Sequence, residues 1–241
     1  LTGNNITFDS TLDADMTVNN RTLAVDTTGG GNTTFNGIVG GTGRPEAITT
    51  NADGVTLINT TTVNVDGASA TFNDPVLLGA NLTVDEGGAG GITFNDTVDS
   101  TTGNNFTLTV NTVSGATIFN GAVGSDALGA LSQDDGLGAV TTDANGTTQI
   151  NGSTVTTTGS QTYNDPVTIG VGTAADATLT GSIITFNNTV NANAAGNEGI
   201  DIVGHAVVGN GGADYVGGTA ALEFFTVSQT TTFNVPVDTT T

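Results

Sequence analysis

Thr71-Phe72-Asn73-Asp74-Pro75-Val76 returns later in the chain as Thr162-Tyr163-Asn164-Asp165-Pro166-Val167. The core of the phrase is an aromatic residue, then Asn (Asp9 in the first copy), with Val or Leu four residues after the ring. It occurs eight times, at Phe8, Phe35, Phe72, Phe94, Phe119, Tyr163, Phe186 and Phe233. The rings are 27, 37, 22, 25, 44, 23 and 47 residues apart. Short intervals cluster at 22 to 27, and 44 and 47 are about twice that. The spacing therefore predicts a structural unit of about 22 to 25 residues in which some copies lack the ring.

A longer period lies over this one. Residues 47–98 recur as 139–190, offset by 92 with a one-residue slip inside: Ile58-Asn59 matches Ile150-Asn151, Val63 matches Val155, and Gly67 matches Gly159. Leu1 to Phe8 aligns with Leu179 to Phe186, so the chain is expected to open partway through a unit of a longer array. The interval from Phe186 to Phe233 exceeds that from Phe94 to Phe119 by 22 residues, about one unit. Residues 191–220 are accordingly expected to hold a divergent extra coil or loop.

Between the rings, apolar residues alternate with polar ones over short runs such as Leu82-Thr83-Val84, Leu108-Thr109-Val110 and Ile200-Asp201-Ile202, bounded by Gly, Asn and Asp. Such runs read as short strands with one buried face. Abundant Gly, Thr and Asn disfavours helices. Strands this short cannot each build a core. Wound so that each lies over its predecessor about 4.8 Å away, they enclose an apolar column. The expected fold is all-β, a parallel β-solenoid of about ten coils, with the eight aromatic residues stacked inside as one column. The Asn after each ring suits a turn and an Asn ladder between coils. A β-sandwich is the competing fold, since short, evenly spaced strands also suit it.

The 241 residues carry 23 acidic and two basic side chains, a formal charge of -21. Nucleic acid is excluded as a partner, because phosphate binding needs clustered cations. Anionic membranes are disfavoured for the same reason, and no run is apolar enough for a membrane-crossing helix. Cys is absent, so disulfides are not used. A surface this acidic suits an extracellular protein bathed in salt or divalent cations.

The run Ile150-Asn151-Gly152-Ser153-Thr154-Val155-Thr156-Thr157-Thr158-Gly159-Ser160-Gln161-Thr162-Tyr163-Asn164-Asp165-Pro166-Val167 resembles repeats of large bacterial β-strand-repeat surface proteins. These are similar to filamentous haemagglutinins and autotransporter adhesins. The likeness extends from Leu1 to Val190 and fades over 191–230. It implies a right-handed parallel β-helix, export to a prokaryotic cell surface, and adhesion or fibre formation.

Few residues suggest chemistry. Asp74, Asp96 and Asp165 follow Asn in turns, where stacked acids either bind a cation such as Ca²⁺ or stand solvated. Asp214, within Gly211 to Gly218, resembles a Ca²⁺-binding nonapeptide that needs tandem copies and here occurs once. His205 is the sole histidine, with no Cys beside it for a zinc site. Asp134-Asp135 could suggest glycoside hydrolysis, but sits in a Gly-rich insertion, and a polysaccharide lyase would lack a base other than Arg21 or Arg44. No catalytic residue, cofactor site or dedicated metal site is expected. Thr-x-Thr runs suggest an ice-binding face, although coils of unequal length argue against the strict ladder it needs.

These readings leave a structural shaft of an adhesin or self-assembling fibre as the leading function. The alternative is a carbohydrate- or protein-binding module acting through the insertions at 126–138 and 191–220, with surface glycans or a neighbouring cell as partner. Because Leu1 begins mid-repeat and Thr231 to Val237 is an ordinary repeat, both ends are expected to be covered by more chain or by another copy stacked head to tail.

Overall fold

A computed structural model describes residues 1–15, 21–125, 136–210 and 216–234. Every strand pairing is parallel and no helix occurs among the described residues. The chain coils around three faces in a fixed order. The first face is a nine-stranded sheet that takes one strand from each of about nine turns, from Thr2–Gly3 and Thr22–Thr27 to Val167–Ile169 and Val190–Ala192. At one strand spacing per turn, the coil is roughly 40 Å long.

The second face begins as the five strands Ile6–Phe8, Thr33–Phe35, Thr56–Ile58, Val76–Leu78 and Val98–Ser100. It continues through the parallel bridges Val98 to Val123 and Val123 to Val155. The third face begins as the bridges Leu12 to Val39 and Val39 to Val63, and then becomes a ladder through Thr62–Val65, Leu82–Glu86, Thr107–Thr112, Ala139–Thr142 and Gln161–Tyr163. Farther on, Ala177–Phe186 and Ile200–Val208 run through both the second and third faces, with a register shift between Thr180 and Ile183.

Period-two alternation sets each residue's side. In Leu82–Glu86 and Thr107–Thr112 every second residue is buried. The interior is a continuous apolar column in which Ile48, Ala70 and Ile92 lie over one another on the first face, and Val63, Val84 and Val110 on the third. Turn length varies widely: Gln149 pairs with Thr168, 19 residues on, and Ile118 with Gln149, 31 on. The surplus falls between strands, and the strands stay in register. The insertion expected at 126–138 lies in the long turn, and all but 136–138 falls outside the described residues.

The aromatic column differs from expectation. The rings form three short stacks on three faces: Phe8 and Phe35 on the second, Phe72, Phe94 and Phe119 on the first, Tyr163 and Phe186 on the third. The interval of 44 is therefore not two turns. From Phe119 one turn leads to Ile150 on the same face, and Tyr163 lies two faces farther. The interval of 47 is two turns, since Phe186, Val208 and Phe233 occupy successive rungs. The phrase marks a corner, with the ring ending one face and the Val opening the next, and any of the three corners accepts it.

The duplicated block is likewise rotated. Ala47–Thr50 lies on the first face, whereas its copy Ala139–Thr142 lies on the third. Thr56–Ile58 is on the second face and its copy Thr147–Ile150 on the first. The 92-residue offset thus amounts to three turns and two further faces.

Candidate functional site

Among the described residues the arrangement that recurs is the set of contacts that repeat from turn to turn. Phe35, Phe72, Phe94, Phe119, Tyr163 and Phe186 are fully buried. Their stacks are close to parallel: Phe72 to Phe94 is 5.3 Å between ring centres at 11°, Phe94 to Phe119 is 5.5 Å at 8°, and Tyr163 to Phe186 is 5.3 Å at 15°. Phe8 stacks on Phe35 at 5.0 Å and is half-buried. Phe233 departs from the expected core: it is 43% exposed and only tilted against Phe225. It lies in the last described turn, where a ring is covered from one side.

Corner Asn residues, most of them directly after a ring, form ladders at all three corners. Between the first and second faces, Asn151 donates its Nδ2 to Asn120 Oδ1, Asn120 to Asn95 and Asn95 to Asn73, at 2.8, 2.7 and 2.6 Å. Asn59 donates to Asn36 and Asn36 to Asp9 between the second and third. Asn187 donates to Asn164 between the third and first. Each amide donates toward the preceding turn, so the amide dipoles align and polarise one another. Each link contributes about 0.5–1.5 kcal/mol net.

The calcium candidates are dispersed. Asp74 and Asp165 stood as surface turn residues in the sequence, but both are 1% exposed and turned inward. Thr50 Oγ1 and Thr56 Oγ1 donate to Asp74 at 2.7 and 2.8 Å, and Thr142 Oγ1 and Thr148 Oγ1 donate to Asp165 at 2.8 Å each. The carboxylates are filled by hydroxyls, a poor start for a cation site. Asp96 is exposed and accepts the Thr97 amide. Asp214 lies outside the described residues, as do Asp134 and Asp135. Among the described residues no three His, Cys, Asp or Glu side chains come together as a metal site.

The other polar candidates are spoken for. Arg21 pairs with Asp15, Arg44 with Asp85 at 2.6 Å, and His205 Nδ1 contacts Thr230 Oγ1. A depression of about 650 Å³ at the first turn is lined by Leu1, Phe8, Leu12 and Leu23, of which the last three pack against the interior column.

Outward on the third face, Thr62, Thr83, Thr109, Thr141, Thr162 and Thr185 stand on successive rungs. This ladder is strict, contrary to the expectation from unequal coil lengths, because the surplus residues fall between strands. It ends at Val207.

No family model, no curated protein and no solved structure matches this chain.

Proposed function

We propose that the chain is a shaft segment of an extracellular fibre or surface adhesin of a prokaryote, with a structural and not a catalytic role. The observation that carries this reading is vertical continuity: ring stacks, Asn ladders and strand pairings link successive turns through the coil. In such a solenoid each turn is stabilised by its two neighbours, so the whole behaves as a rod that sets distance. The charge of -21 supports an exported setting, since a polyacid stays dispersed in salt and repels polyanions. Its partner is its own kind, further chain or a second copy stacked end to end, because the contacts that join two turns also suit a turn from outside.

Labelled electron microscopy of the native material tests this. Antibody fragments against the chain should decorate filaments or surface projections at regular intervals along their length. Label confined to a dispersed soluble particle, or to the tip alone, would overturn the shaft reading and favour recognition through the insertions.

A further inference from the structure

Two of the buried carboxylates, Asp74 and Asp165, form one device built twice. Thr50, Thr56 and Asp74 meet inside the corner between the first and second faces, and their duplicates Thr142, Thr148 and Asp165 inside the corner between the third and first. In both copies a single hydroxyl faces both carboxylate oxygens: Thr56 Oγ1 lies 2.8 and 2.9 Å from those of Asp74, and Thr148 Oγ1 the same distances from those of Asp165. A hydroxyl has one hydrogen, so as donor it is shared between the two oxygens, whereas a protonated carboxyl would return the second contact to the hydroxyl oxygen.

No cation faces either group. Asp53 and Asp96 occupy the same corner as Asp74, one turn to either side. Asp53 accepts the Gly30 amide, and the field of Asp96 opposes ionisation of Asp74. Asp165 has Asp143 in the preceding turn, with the same effect, and Tyr163 beside it with its hydroxyl donated to Gln161. Arg21, Arg44 and His205 are engaged elsewhere. An ionised carboxylate held inside by neutral hydroxyls and its own backbone amide, with no cation, is poorly compensated.

We propose that Asp74 and Asp165 are proton-binding sites that clasp neighbouring turns in mildly acidic surroundings and loosen them as they ionise. Burial pushes both carboxyls above the ordinary 3.8, Asp165 to about 6, against the opposing pull of the Thr hydroxyls. A raised folded value means that the stabilisation is complete below the ordinary value and is lost as pH rises through the folded one. For Asp165 the window runs from about pH 4 to about pH 7. The coil is thus strengthened by acid, the reverse of a protein whose carboxylates are salt-bridged.

Two measurements on the intact chain test this. In carbon NMR of the side-chain carboxyls, Asp165 should titrate near 6 and Asp74 above the ordinary range. In high salt, which screens the surface charge and leaves buried groups alone, the unfolding equilibrium constant should rise on the order of a hundredfold through the Asp165 step. Asp165→Asn and Asp74→Asn keep the shape and remove the proton, so the double variant should lose that pH dependence. Both carboxyls titrating fully below about pH 4, or a double variant with the wild-type slope, would overturn the proposal. If the variants do not fold, the NMR titration of the wild type decides.

Discussion

Phe94 lies between Phe72 and Phe119, covered on both ring faces and wholly buried. Phe94→Ala would open a void that the rigid turns above and below cannot close, at a cost of about 3–5 kcal/mol. Phe233→Ala removes a ring that is 43% exposed, and should cost less than about 1 kcal/mol. Paired thermal or denaturant melts of the two variants check this; equal losses would contradict the burial pattern. The sequence announced the rings but not their faces, because the phrase specifies a corner and the chain has three. It also concealed Asp74 and Asp165, since Asn-Asp-Pro reads as a solvated turn. A signal was present: Thr residues precede Asp74 by 24 and 18 positions and Asp165 by 23 and 17. Only with the turn length in hand do those offsets mean one turn below.

Among the elements, corners and strands follow different rules. Gly115 packs under a neighbouring corner so closely that an added Cβ would stand 1.4 Å from the Gly90 carbonyl oxygen. Gly115→Ala should therefore force turns apart and cost several kcal/mol, of the order of other severe core clashes. Thermal unfolding checks it, and a melt within a degree of wild type would contradict the close approach. Length is treated differently. Excising residues 73–94 joins Phe72 to Asn95 and removes one complete turn, since Phe72 and Phe94 are paired on adjacent rungs. The shortened chain should keep its strand content by circular dichroism, whereas removing half as many residues should not. The 22-residue unit was legible from the spacing of the rings. The spread from 19 to 32 was not, because the added residues fall between strands and carry no periodicity.

For the whole molecule, the charge of -21 opposes compaction, and only two arginines offset it. Salt should raise the melting temperature by screening, and Ca²⁺ should add a modest increment through the same general effect. Melts in chelator, in monovalent salt and in millimolar Ca²⁺ check this. A large shift with Ca²⁺ alone would instead require specific carboxylate sites, which the inward-facing Asp74 and Asp165 do not provide.

The shaft reading makes a directional demand on the native material. If the chain's long axis runs along the filament, its strands lie across it, and turn follows turn at the strand spacing. X-ray diffraction from aligned native filaments measures this directly. The account predicts a strong reflection near 4.8 Å along the filament axis. The same reflection at right angles to the axis would mean that the coils project sideways and do not form the shaft, and its absence would mean that the filament is built from something else.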